Sequence, residues 1–276
     1  MRRRHPASTA GVLTGVAAAT LLAGCEVIQQ DDRVVPEAPS PSTVVVTTPI
    51  VSPYPVVAPE RPAAVAPLPT TGAGITTYAD PFGVYASVCT LGFFGRYPGG
   101  QVVAFTAGHC AELARQARPT VTPVARYLTS GGRNVPFGEY IKATRTARGQ
   151  DIAIIQVQGE NVRPEAAAIG KVTGYSTAEE LRAGRPEICI VGARTGRHCG
   201  VLDSVDRSRV TWAGIPAIEG DSGGPVYAKW PDGSFTAVGV VNSVHTRTDG
   251  TGTGGGTGTL IADDMTANRI TLMGTR

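Results

Sequence analysis

The stretch GDSGGPVY, residues 220–227, sets a serine among glycines in a turn that leads into an apolar run. A serine hydroxyl is a poor nucleophile until a neighbouring base takes its proton, so Ser222 does chemistry only if the chain supplies that base. Histidine suits the role because its charge changes near neutral pH. Three histidines lie beyond the N-terminal region: His109, His198 and His245. His109, in FTAGHC, follows an apolar strand-like run whose end can present a side chain to a cleft. Taken alone, it reads equally well as a hydrogen-bonded structural histidine. An acid must then orient the imidazole. Asp151 opens DIAIIQV, where a part-buried carboxylate needs a hydrogen-bonding or cationic partner; in isolation it is only a strand-start residue. Asp203 and Asp206, in LDSVDRS, read as surface turn residues, and Asp221 is better placed to brace the loop of Ser222 than to orient a distant histidine.

Together, TAGHC, DIAIIQV and GDSGGPV occur in the order His, Asp, Ser and resemble the trypsin/chymotrypsin family of serine proteases. TAGHC and ICIVGARTGRHCG look closer to its bacterial, streptogrisin-like branch, and the resemblance spans roughly residues 76 to 272. It implies an all-β fold of two six-stranded antiparallel β-barrels with the active site between them. His109 and Asp151 would come from the first barrel and Ser222 from the second. The implied activity is endopeptidase cleavage of a polypeptide substrate through an acyl-enzyme, with the Gly220 and Ser222 N–H groups facing the developing oxyanion. No cofactor or metal is called for. The resemblance also implies the disulfides Cys89–Cys110 and Cys189–Cys199.

The departures from that family carry expectations too. No IVGG-type start exists to pair with Asp221, and Ile190 stands where bacterial relatives carry an arginine; Arg194 is the expected substitute. Without such a partner the oxyanion loop would be disordered until something binds, and a catalytically silent binding protein on the same fold is the alternative reading. The family's substrate pocket maps onto Pro216 as its floor and Asn242, Ser243 and Val244 as its wall. A proline floor and a branched wall residue predict preference for small or medium uncharged side chains. His245 and Arg247 suggest a rival preference for acidic ones. GTGTGGGTGT, 249–258, is expected to be mobile.

The elements that must position these residues are short. From about Ile75 onward the chain runs through QVVAFTAG, FGEYIKAT, EICIVGA, RVTWAG and FTAVGVVNSV, β-branched runs split by Gly, Pro, Asn and Asp. That pattern argues for an all-β sandwich or barrel. CAELARQA (110–117) and STAEELRAG (176–184) are the best short helices.

The N-terminus differs in kind. Residues 1–24 hold Arg2, Arg3 and Arg4, no acid, and a short apolar run before Cys25. This is the layout of an export signal; the run is too short for a comfortable bilayer span, which needs about 20 residues. LLAGC resembles a bacterial lipobox, which implies lipidation of Cys25 and anchoring to the outer face of a bacterial cytoplasmic membrane. An ordinary secretory signal, with Cys25 incidental, is the plainer alternative. Residues 25–74 hold ten of the 21 prolines, between Pro36 and Pro69, and read as an extended tether. The domain itself occupies residues 75–276. Past the signal the chain has 22 basic and 22 acidic residues, with no basic block interleaved with aromatics and no phosphate loop, which argues against nucleic acid or nucleotide. A monomer is expected. Setting Cys25 aside leaves four cysteines in an oxidising setting. Three pairings are open, sequence proximity favours Cys89 with Cys110 and Cys189 with Cys199, and no CxxC spacing supports a zinc site.

Overall fold

VVAFT and DIAIIQV carry apolar residues at both odd and even positions, and successive strand residues face opposite sides of a sheet. Such strands must be covered on both faces, and they are. In the computed structural model, which describes residues 68–78, 86–128, 133–147, 149–166, 169–246 and 252–275, two sheets pack against each other. The first contains β1 (Gly74–Tyr78), β2 (Ala86–Thr90), β3 (Phe94–Arg96), β4 (Val102–Thr106), β5 (Val124–Leu128), β6 (Asn134–Arg145) and β7 (Asp151–Val157). The second contains β8 (Val172–Tyr175), β9 (Glu187–Gly192), β10 (Gly196–Val205), β11 (Arg209–Ala213), β12 (Pro225–Lys229), β13 (Phe235–Thr246) and β14 (Gly252–Leu260). The short β15 (Thr271–Leu272) returns to the first sheet.

The second sheet runs β12-β9-β10-β11-β14-β13 and closes through a β12–β13 pairing into a six-stranded barrel, with β8 added in parallel to β13. The first runs β15-β3-β4-β7-β6-β5-β1-β2 and curls into a half-barrel. It has eight strands rather than six, and no pairing among the described residues closes it. One reason is visible at the end of β2, where the Thr90 N–H donates to the Ser222 carbonyl of the other sheet at 2.7 Å.

Side chains sort by strand parity. On β4 and β7, Val102, Ala104, Ala153 and Ile155 fill the first sheet's own core, while Val103, Phe105, Ile152 and Ile154 fill the layer between the sheets. On β9 and β12, Ile188, Ile190, Val226 and Ala228 fill the second barrel, while Cys189, Val191 and Tyr227 face the intersheet layer. This layer is what holds β4, which leads to His109, against β12, which leads away from Ser222.

Both expected helices form. A 3₁₀ turn, Gly108–Ala111, runs into α1 (Glu112–Ala117), and α2 (Ala178–Gly184) starts at a capping box between Thr177 and Glu180. A further helix, α3 (Ala262–Ala267), was not legible in the pattern. Two expectations change. Thr70–Gly74, assigned to the tether, are bonded to the domain: the Thr71 N–H donates to the Arg163 carbonyl at 3.1 Å and the Gly72 N–H to the Leu91 carbonyl at 2.8 Å. The glycine-rich 252–258 is not a mobile loop but most of β14, paired with β11 and β13. Its glycines answer a steric need, since a Cβ at Gly256 would lie 2.9 Å from the Trp212 ring and 2.8 Å from the Ser243 carbonyl oxygen. The signal 1–24, Cys25 and Arg247 lie outside the described residues.

The disulfides Cys89–Cys110 and Cys189–Cys199 both form, the second across the β9–β10 ladder. Each is expected to add about 3 kcal/mol through loop closure. Non-reducing peptide mapping should recover these two pairs and reduction should lower the melting temperature; recovery of Cys89 joined to Cys189 would contradict the fold.

Candidate active site

His109 sits in the 3₁₀ turn directly after β4, and Asp151 is the first residue of β7, the strand paired with β4. Adjacent strands thus bring together residues 42 positions apart. The Asp151 carboxylate takes both contacts His109 can offer it: the main-chain N–H donates to Oδ1 at 2.8 Å, and Nδ1 lies 2.7 Å from Oδ2. A carboxylate only accepts, so Nδ1 carries the proton and the lone pair of Nε2 is on the opposite edge of the ring. Asp151 is 3% exposed, which protects the pair from competing water, while the His109 side chain keeps 27% exposure. Behind the acid, Thr259 Oγ1 accepts from the Asp151 N–H at 3.0 Å.

Ser222 lies half-buried in the turn before β12. Its carbonyl accepts from the Thr90 N–H, and the Gly220 carbonyl accepts from Thr90 Oγ1 at 2.7 Å. The turn is closed by the Gly224 N–H donating to the Asp221 carbonyl and the Gly223 N–H donating to the Val241 carbonyl. Gly220 (φ +99°) and Gly223 (φ +83°) occupy left-handed backbone, and a Cβ at 223 would lie 2.0 Å from Thr106 Oγ1. With the carbonyls of 220 and 222 held inward, the amides of Gly220 and Ser222 have no acceptor among the described residues. Two unpaired N–H groups beside a serine hydroxyl form a potential oxyanion site.

Asp221 is fully buried and shows how the loop is braced. Oδ1 accepts from the Arg194 N–H (2.9 Å) and the Thr195 N–H (3.2 Å); Oδ2 accepts from Thr195 Oγ1 (2.8 Å) and the Ile218 N–H (3.0 Å). The expected ion pair with Arg194 is therefore replaced by main-chain contact: Arg194 contributes its amide, while its exposed side chain lies across Gly220, with Cγ 2.7 Å from where a Cβ would stand. Hydrogen bonds to a carboxylate are among the stronger neutral-donor kinds, and four of them substitute for the missing cation.

Sequence reasoning missed Thr90. It is wholly buried and joins four groups: besides the Gly220 and Ser222 carbonyls, its Oγ1 accepts from the Ala193 N–H (2.9 Å) and its carbonyl accepts from Thr106 Oγ1 (2.9 Å). Its only sequence signal was adjacency to Cys89. Cys89 is bonded to Cys110, the residue after His109, so the disulfide and Thr90 together tie the histidine turn to the serine loop.

Of the residues expected to line the substrate pocket, Pro216 is exposed, and the adjacent Ile215 turns into the core, its N–H donating to the Gly254 carbonyl at 2.7 Å. Asn242 is half-buried. Its Nδ2 donates to the Gly149 carbonyl (3.1 Å) and faces Thr259 Oγ1 (3.5 Å), which places it behind Asp151. Ser243 is exposed and bonded to Thr257 Oγ1 at 2.8 Å, and Val244 is half-buried against the second barrel's core, opposite Gly256. His245 is exposed beside Gly255, and His198 bonds the Thr195 carbonyl at 2.9 Å. Two clusters among the described residues, Cys89 with His109 and Cys110 and Glu187 with Cys189 and Cys199, have the composition of metal sites. In both, the sulfurs are joined as disulfides.

No protein-family model matches the chain. Over 184 residues, 61% of this chain and 77% of theirs, it is 30% identical to the uncharacterized proteins MT1863 and Rv1815 of two strains of Mycobacterium tuberculosis. Among solved structures it is similar to Thermobifida fusca Protease A (TM-score 0.51, 22% identity, 74% of this chain and 97% of that one). It is also similar to Nocardiopsis Protease (TM-score 0.50, 19% identity, 74% and 98%). A third is a glutamic acid specific serine protease that uses a histidine triad in substrate binding (TM-score 0.50, 18% identity, 74% and 99%). At these identities the structural likeness is one of fold. The chain therefore belongs to the family of the two mycobacterial proteins, and it has the fold of bacterial chymotrypsin-like serine proteases.

Proposed function

We propose that this chain is an exported serine endopeptidase, tethered to the outer face of the membrane, that works through His109, Asp151 and Ser222. The observation that carries the reading is the buried Asp151 carboxylate holding His109 by both its amide and Nδ1, on a fold whose serine loop presents two unpaired amides. In this mechanism His109 Nε2 takes the Ser222 proton as Oγ attacks the substrate carbonyl. The Gly220 and Ser222 N–H groups stabilise the oxyanion, and the protonated imidazole then gives its proton to the leaving amine. Water hydrolyses the acyl-enzyme with His109 again as base. The silent-binder alternative rested on the missing arginine at 190, and the four donors to Asp221 remove that support. The test is covalent labelling of the chain by a fluorophosphonate. Wild type should label and Ser222→Ala should not; labelling of neither would overturn the reading.

With Pro216 and Val244 at the positions expected to bound the substrate pocket, the same reading carries a preference for small or medium uncharged residues before the cleaved bond. Apolar recesses discriminate by roughly 1–3 kcal/mol per methylene, so the preference is graded. In a fluorogenic peptide library Ala, Val or Leu at that position should outperform Arg and Lys. Glutamate as the best residue would promote His245 to a binding role.

The tether and lipid anchor follow from the N-terminal sequence alone. Cys25→Ser should release the protein from membranes or leave the precursor uncleaved; unchanged membrane partitioning would count against lipidation.

A further inference from the structure

The layer between the two sheets is not completely filled. A cavity of about 530 Å³ opens in it, lined by Phe93 and Leu272 on the side of the first sheet, Tyr227 of β12 and Val172 of β8 on the side of the second, and Ile169 just before β8. Protein interiors pack at nearly crystalline density, with few voids larger than a water molecule. Pockets that take small organic molecules run from about 300 to 1,000 Å³ and are mainly apolar with a few placed polar groups. This cavity has that size and that lining.

Its placed polar group is Tyr227. The residue is 1% exposed, and its ring is held edge-on by Phe93 at 5.0 Å and Phe235 at 6.4 Å. No hydrogen bond from its hydroxyl to a described residue is present, whereas Tyr140, the other deeply buried tyrosine, is paired with Thr77 at 2.8 Å. The fully occluded side-chain polar atom without a partner among the described residues is Trp212 Nε1, in the second barrel's core, and the Tyr227 hydroxyl is not sealed off in that way. Buried polar groups in native proteins are overwhelmingly paired. Burial pushes the phenol's ionisation far above its ordinary range, so the group stays a neutral O–H donor. The charged residues of the lining, Glu165 and Lys171, are both exposed and belong to the rim. Nothing inside would balance a buried charge on a ligand.

We propose that this cavity binds a neutral, mainly apolar small molecule whose one hydrogen-bonding oxygen accepts from the Tyr227 hydroxyl. The site is separate from His109 and Asp151 and does not depend on the hydrolytic reading. Because its walls come from both sheets, an occupant would hold the two sheets together.

The experiment titrates the full chain, in detergent-free buffer, with 1-hexanol, hexane and hexanoate. Calorimetry gives affinity, and methyl NMR of Ile169, Val172 and Leu272 gives location. 1-Hexanol should bind one per chain, shift those methyls and raise the melting temperature, with hexanoate at least tenfold weaker. Tyr227→Phe, which keeps the ring and its packing, should weaken 1-hexanol at least fivefold and leave hexane unchanged. Ile169→Trp, at the half-buried rim, should block both. Failure of every probe to saturate would overturn the proposal and mark the space as a hydrated gap. Equal 1-hexanol affinity in wild type and Tyr227→Phe would overturn it as well, as would methyl shifts confined to other parts of the chain.

Discussion

Ser222→Ala and His109→Ala are each expected to lower kcat/KM toward a peptide substrate by roughly 10⁴-fold or more, and the double variant should be scarcely worse than either. The reason lies in the order of events. In the proposed mechanism Ser222 Oγ is nucleophilic only while His109 Nε2 accepts its proton, so removing either group removes the same step. Asp151 holds His109 through two contacts, 2.8 and 2.7 Å long. Asp151→Asn should therefore also be severe, because an amide nitrogen opposite Nδ1 favours the wrong tautomer. Ser222→Ala removes a half-buried hydroxyl and should change the melting temperature little, whereas His109→Ala also leaves the buried Asp151 carboxylate without its Nδ1 partner and should lower it modestly. Independent, multiplicative losses in the double variant would mean that the two residues do not act as a unit, and the proposed mechanism would be wrong.

The second large effect is expected at Asp221, and it is one of stability as well as activity. Asp221→Ala leaves four donors without their acceptor: the amides of Arg194, Thr195 and Ile218 and the Thr195 hydroxyl. A buried group that loses its partner costs about 1–3 kcal/mol, against a total stability of about 5–15 kcal/mol for an ordinary domain. A loss of about 4 kcal/mol or more is expected, which for a domain of this size lowers Tm by roughly 10 °C. Asp221→Asn keeps one acceptor oxygen and should lose less. Since the Gly220 and Ser222 amides flank Asp221, kcat/KM should fall by about 10²–10³-fold, the scale of losing an oxyanion donor. Differential scanning calorimetry and kinetics on the same variants decide the matter. A fully stable, fully active Asp221→Ala would show that the four-donor bracing is incidental.

Much of the candidate site could be read directly from the chain. Serine, histidine and aspartate are few enough, and their flanks specific enough, that TAGHC, DIAIIQV and GDSGGPV stand out in order. Short β-branched runs split by Gly, Pro, Asn and Asp declared an all-β fold. These are local properties: each depends on a residue and its near neighbours.

What the sequence hid depends on contacts between distant positions. Thr90 is an ordinary threonine until chain closure brings its hydroxyl to the Gly220 carbonyl, 130 residues away. Thr259 became relevant only when β14 passed behind Asp151. Arg194 looked like a cation for Asp221, yet the turn after β9 brings its amide to the carboxylate and leaves its side chain outside. The glycines of 252–258 looked like a flexible loop because glycine permits loops; packing against Trp212 and two flanking strands made them a strand instead. Residue type and spacing thus determined which groups could react, whereas the closure of the second barrel and its docking on the first decided which groups hold them, because hydrogen bonds and steric fit are set by distances that chain order does not specify.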